Sequence, residues 1–425
     1  MTGLTGLARL TRLVDRAGPR SRRAGGAGGA VVVAAVVALL ATGCSGDEGG
    51  GGGGWPLAES SSPARASPSG PASGSAPGEP PAPSGSGSPP APPPARGSVR
   101  VADTLTEGLK SPWGAAALPD GDLLISSRDE ATITRVDTET GRKTEIGSVP
   151  GVSSGGEGGL MGLALSPSFA SDRQVYAYFT TGSDNRIARL RFDERAPAGR
   201  QLGAPDTVLR GIPKGGIHNG GRIAFGPDGM LYAGTGEAGE TGLSQDPKSL
   251  GGKILRMTQE GRPAPDNPDS GSLVYSLGHR NVQGLAWDAE GRLWAAEFGQ
   301  NTWDELNLIE PGKNYGWPEA EGKGGGPRFV DPVAQWRTEE ASPSGIAYAR
   351  GSIWMAGLRG ERLWRIPLDG PEPVARPEAF LTEKYGRLRT VLPAEASGLW
   401  LITSETDGRG SPGGGDDRVL RLEVT

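Results

Sequence analysis

The chain has 425 residues, of which 72 are glycine and 37 proline, and a formal net charge of −5 at pH 7. That length allows one large or two ordinary domains. The acidic balance gives no basis for nucleic-acid binding, and the single cysteine leaves no partner for an intrachain disulfide.

Residues 1–43 read as an export signal. Arg9, Arg12, Arg16, Arg20, Arg22 and Arg23 form a basic start, and Ala30 to Ala41 form an apolar core too short to span a bilayer. The segment ends in LLATGC, which resembles a bacterial lipobox. The resemblance implies lipidation of Cys44 and a membrane-anchored protein on the extracytoplasmic face; Arg22 and Arg23 leave general and twin-arginine export both open. Residues 44–97, with runs such as GGGGGG and SPPAPPPAR, have almost nothing apolar to bury and read as a disordered Gly/Pro/Ser-rich tether.

From residue 98 to residue 425 one pattern recurs: a turn, a short apolar strand, a gap, and a second strand ending near arginine. The copies are PDGDLLISSRDEATITRVD, DRQVYAYFTTGSDNRIARLRF, GPDGMLYAGTGE with GGKILRM, AEGRLWAAEFGQNTWDELNLI, ARGSIWMAGLRGERLWRIPL, and ASGLWLITSETDG with DRVLRLEV. Six copies at this spacing fit four short strands per unit. Such units cannot bury both faces alone and pack side by side around an axis. The expectation is an all-β, six-bladed β-propeller, with SVRVAD near Ser98 pairing with the last blade to close the ring. A pair of β-sandwiches is the alternative, and the regular repeat argues against it.

Polar residues concentrate in GHRNVQGLAWDAEGRLWAAEFGQNTWDELNLIEPGKNYGWP, from Gly278 to Pro318. The chain has two histidines, His218 and His279. A structural role is expected for His279; for His218, between glycines in GGIHNGGR, a catalytic role stays open on the residues alone. Arg280, Arg359, Arg387 and Arg389 are the cations of interest. Arg387 and Arg389 alternate with Leu388, so a strand would place both guanidinium groups on one side. That is unfavourable without an anion between them, and a planar polycarboxylate is a natural partner. The alternative is a solvated strand face. Asp304, Glu305 and the turn around Gly299 offer oxygens to calcium, although acidic turns are common. No nucleophile elbow or phosphate loop is present.

The segments GEGGLMGLALSPSF, HNGGRIAFGPDGMLY, GGKILRM, GHRNVQGLAW, DELNLIEPGKNYGWP and YGRLR together resemble the glucose/sorbosone dehydrogenases. These are soluble quinoprotein sugar dehydrogenases that use pyrroloquinoline quinone (PQQ), and they are six-bladed propellers. The resemblance implies that His218 is the general base toward a sugar hydroxyl, with hydride passing to the quinone, and that Glu157 is a polar neighbour of the base and the substrate. It implies cofactor contacts from Arg280, Asn281, Gln283, Arg359, Arg387 and Arg389. It also implies that the carbonyls of Gly299 and Gln300 ligate the cofactor's calcium, which acts as a Lewis acid, and that Glu305 and Tyr315 ligate a structural calcium. There are departures: Ile217 stands where the glucose enzymes have an acid, Arg359 replaces a lysine, Gln300 a proline and Glu237 an aspartate, and the aromatic substrate segment has no counterpart near Thr338 to Pro343.

Two readings follow. The first is a PQQ- and calcium-dependent dehydrogenase of an aldose or sugar aldehyde, passing electrons to an unidentified acceptor and touching the membrane only through its lipid. The second is a non-catalytic propeller that binds sugar or a surface partner. A propeller lactonase is a third, and would need a metal held by carboxylate side chains at the channel.

Overall fold

The computed structural model describes residues 93–394 and 398–425. The export signal, Cys44 and most of the tether lie outside the described residues. Among the described residues no helix is long and apolar enough to cross a membrane.

Six antiparallel sheets follow one another along the chain. From the innermost strand outward, blade I is Pro112–Ala117, Leu123–Ser127, Thr132–Val136 and Lys143–Ser148. Blade II is Leu160–Leu165, Gln174–Thr180, Asn185–Arg191 and Asp206–Ile212. Blade III is Ile223–Phe225, Leu231–Gly234, Lys253–Met257 and Val274–Leu277. Blade IV is Val282–Trp287, Leu293–Glu297, Trp303–Ile309 and Ala334–Arg337. Blade V is Pro343–Ala349, Ser352–Gly357 and Arg362–Asp369, edged by Glu372–Pro373 and Glu378–Phe380. Blade VI is Leu388–Pro393, Leu399–Thr403 and Val419–Val424, completed by the early strand Val99–Thr106. That strand pairs antiparallel, Val99 opposite Val424, so the two ends of the domain share a sheet and the ring closes as expected. Each sequence repeat is the two middle strands of one blade.

The core is divided among the blade interfaces. One cluster joins Leu124 and Ile133 of blade I to Val175 and Leu190 of blade II. Comparable clusters join every further neighbouring pair around to Trp400 and Ile402 of blade VI against Leu123 and Ile125 of blade I. Strands buried on both faces explain the unbroken apolar runs. Each large apolar side chain so buried contributes about 1.5–3 kcal/mol, so the ring is stabilised by contacts between blades. The innermost strands approach backbone to backbone: a Cβ on Gly162 would lie 2.2 Å from the Gly221 carbonyl, and one on Gly284 2.4 Å from that of Ser344.

In every blade the innermost strand starts at the same end of the channel. That end therefore collects two kinds of segment: the connections between blades, and the turns between second and third strands. These segments build the site.

Candidate active site

A cavity of about 520 Å³ opens at this end. Connections between blades supply Glu157, His218, Arg280, Thr338, Ser342 and Arg387, and the innermost strands supply Trp113, Gln283 and Arg389. Turns between second and third strands supply Arg128, Gly299, Gln300, Arg359, Asp407 and Arg409, and the start of the third strand of blade IV supplies Asp304. Six arginines thus face three carboxylates. A larger groove, about 950 Å³, lies at the other end of blades VI and I and contains neither histidine.

His218 has a left-handed backbone, φ 53°. Its N–H donates to Glu157 Oε2 at 2.8 Å, and its carbonyl accepts from Ala238 N at 3.0 Å. Arg280 Nη2 lies 2.9 Å from Nε2 of the ring. A guanidinium can only donate, so Nε2 carries a lone pair and the ring proton is on Nδ1. Nδ1–H donates to Glu237 Oε1 at 2.5 Å. Glu237, which stands where the glucose enzymes have an aspartate, thus fixes the ring tautomer, and its carboxylate is almost fully buried. Ile217 is 42% exposed, the one exposed large apolar side chain among the described residues.

The wall opposite is cationic. Arg387 and Arg389 both donate to Asp407 Oδ2, each at 2.9 Å. The anion between the two arginines is thus, in part, the chain's own. Arg389 Nη1 also donates to Gln283 Oε1 at 3.0 Å. Burial pulls the Arg389 guanidinium down to about 10, against the opposing effect of Asp407. Beneath the floor, Arg222 stacks on Trp113 at 4.5 Å and is pulled down to about 9 by burial, with Arg389 adding repulsion. Arg280 is lowered by burial too, and its Nε is buried without a partner.

At the turn of blade IV, Gly299 N donates to Asp304 Oδ1 at 2.9 Å. Only glycine fits there, since a Cβ would lie 1.9 Å from the Trp303 carbonyl. Burial pushes Asp304 up to about 7. The N–H groups of Gln300, Asn301, Thr302 and Trp303 all converge on Glu321 Oε1, at 2.8–3.2 Å.

Of the expected site residues, His218, Glu157, Arg280, Gln283, Arg359, Arg387, Arg389, Gly299 and Gln300 line this one cavity. Asn281, Glu305 and Tyr315 do not. Asn281 is fully buried and accepts from Gly220 N at 2.9 Å, so it braces the loop of His218. Glu305 accepts from Asn307 Nδ2 and Gly322 N, and is raised by burial and then by neighbouring Glu297. The Tyr315 hydroxyl donates to the Leu308 carbonyl at 2.7 Å, and its ring stacks on His279. His279 is fully buried between Glu297 and Ser276, as a structural histidine should be. Sequence reasoning missed Arg128, Asp407 and Arg409 and gave Glu237 no role. Their signal was their place in the gap between the two strands of each repeat.

The family model described as Glucose / Sorbosone dehydrogenase matches residues 109–412. The chain is similar to the PQQ-bound aldose sugar dehydrogenase of Streptomyces coelicolor, with 74% identity and a TM-score of 0.78 over 78% of this chain and all of that one. It is 29% identical to the aldose sugar dehydrogenase of Escherichia coli over 72% of this chain and 90% of that protein. It is 31% identical to quinoprotein glucose dehydrogenase B of Acinetobacter calcoaceticus over 49% of this chain and half of that protein. With a cavity that gathers the family's segments from all around the ring, this chain belongs to the glucose/sorbosone dehydrogenase family.

Proposed function

We propose that this protein is a PQQ-dependent sugar dehydrogenase that oxidises an aldose or sugar aldehyde, with His218 as general base and calcium beside the cofactor. The observation that carries the reading is the tautomer of His218: a lone pair on Nε2 directed at Arg280 on the cavity wall, with Glu237 fixing the proton on Nδ1.

The residues present fit the cofactor. PQQ is planar and carries three carboxylates, and the lining has three more cations than carboxylates. Buried cations with incomplete compensation favour an anionic ligand. Arg387, Arg389, Arg280, Arg359 and Gln283 would hold it. The carbonyls of Gly299 and Gln300, with Asp304 close by, would hold calcium, a cation suited to neutral and acidic oxygens. When bound, the quinone accepts two electrons with the hydrogen of the sugar carbon, and calcium favours this by polarising the quinone carbonyl.

The chain's own residues do the rest. Nε2 of His218 takes the proton of the substrate hydroxyl. Glu237 keeps Nδ1 protonated and stabilises the imidazolium that results. Arg280, facing the same nitrogen, also faces the oxygen that loses its proton, and its charge favours the negative charge developing there. Purified protein supplied with PQQ and calcium should reduce an electron-accepting dye in the presence of an aldose and lose that activity in EDTA. PQQ binding with no turnover of any aldose or sugar aldehyde would count against the catalytic reading; no PQQ binding at all would overturn it.

Two ancillary proposals come with it. Glu305 and the buried, unpartnered Oδ1 of Asn307 would contribute to a structural calcium site; the Tyr315 hydroxyl is already engaged, leaving its carbonyl. Calcium should then raise the melting temperature, and Glu305→Gln should abolish that rise. Lipidation at Cys44 would anchor the protein outside the cytoplasm, and Cys44→Ser should move it from the membrane to the soluble fraction.

A further inference from the structure

Glu157 is shared between two partners. Its Oε2 accepts the His218 N–H at 2.8 Å, and its own N–H donates to the Gly216 carbonyl at 3.0 Å. These two bonds tie the connection into blade II to the loop of His218, whose left-handed backbone no glycine relieves. The other carboxylate oxygen, Oε1, accepts from Arg409 Nη2 at 2.6 Å. Arg409 lies 252 residues away, in the turn of blade VI between its second and third strands. The Arg409 N–H donates to Asp407 Oδ1 at 2.9 Å, and Asp407 Oδ2 takes Arg387 and Arg389. A series of hydrogen bonds, joined through the backbone and side chain of Arg409, therefore runs along the cavity wall. It starts at the arginines of blade VI, passes through Asp407, Arg409 and Glu157, and ends at the backbone of His218.

We propose that Arg409 is a positioning residue: by holding Glu157 it sets the placement of the His218 ring relative to the anion-binding arginines. The Arg409 side chain is 58% exposed, so its ion pair adds little to stability. What it contributes is geometry. A base displaced by about 1 Å loses far more in rate than such a pair contributes to folding.

The rate arm of the test rests on the dehydrogenase reading; a second arm does not. The chain has two histidines, so a histidine-selective NMR spectrum of the whole protein resolves His218 against His279 as an internal reference. Arg409→Ala should shift or broaden the His218 ring signals, leave His279 unmoved and leave the melting temperature within a degree or two. In the loaded enzyme it should lower kcat on the order of tenfold with little change in KM, and Arg409→Lys should recover most of that loss. Glu157→Gln keeps an acceptor for the His218 N–H but weakens the link to Arg409, so adding Arg409→Ala to it should have little further effect. An unmoved His218 signal in Arg409→Ala, a change confined to KM, or full additivity of the two substitutions would overturn the proposal. A wild type that turns over no sugar, with the His218 signal still responding to Arg409→Ala, would refute the dehydrogenase reading and leave this one standing.

Discussion

The two histidines have the same inner partner and opposite surroundings. Each places Nδ1 2.5 Å from a glutamate oxygen, Glu237 for His218 and Glu297 for His279. His279 is sealed: its Nε2 faces Ser276 Oγ at 2.8 Å, Tyr315 stacks on its ring, and none of its side chain reaches solvent. His218 is 13% exposed, and its Nε2 points to the cavity wall. A His–Glu pair is thus not in itself a catalytic device. Access to the second nitrogen separates a base from a brace, and the brace supports the base's surroundings, since Glu297 also lies within reach of the Arg280 N–H at 3.4 Å.

The largest expected effect is at the open pair. His218→Ala should lower turnover by on the order of 10² to 10⁴ with folding intact, read from steady-state rates and a melting curve. The sealed pair should behave in the reverse way. His279→Ala strands the buried Glu297 carboxylate and should cost on the order of 3 kcal/mol of stability, while the folded fraction keeps most of its activity. If the two variants traded these outcomes, the distinction by access would be wrong.

On the cavity wall, Arg389→Met removes one buried guanidinium from the site proposed for the cofactor's carboxylates. PQQ affinity should fall about ten- to a hundredfold, the range of a charged hydrogen bond, by titration of cofactor fluorescence. The smallest effect is a pH slope. Asp304 is pushed up to about 7 by burial, above the value of about 4 for an unfolded aspartate. The folded state therefore binds that proton more tightly than the unfolded state. In the metal-free protein this group makes stability fall as pH rises from about 4 to about 7, with a slope of at most about 1.4 kcal/mol per pH unit. Asp304→Asn should flatten that part of a denaturation-against-pH series.

The ring was legible because its repeats are written locally: a Gly- or Asp-bearing turn, an apolar strand and a strand ending near arginine, six times over. The closing strand was legible because SVRVAD needed a partner and the last repeat needed an edge. The alternation of Arg387, Leu388 and Arg389 predicted two guanidinium groups on one wall, and both line the cavity. What the sequence concealed was convergence. Glu237 sits 19 residues from His218, and Asp407 and Arg409 lie in a Gly-rich turn near the end of the chain. Nothing local says that four of the six turns between second and third strands meet around one space. Asn281 is the converse case: it lies between Arg280 and Gln283 in sequence yet is buried outside the cavity lining, bracing the loop of His218.

The most direct test loads wild type and His218→Ala with PQQ and calcium and follows reduction of the bound cofactor by an aldose in a single turnover. Binding should be similar in both proteins, with reduction slower in the variant by at least two powers of ten. Equal binding with a near wild-type rate of reduction would contradict the assignment of His218 as the base.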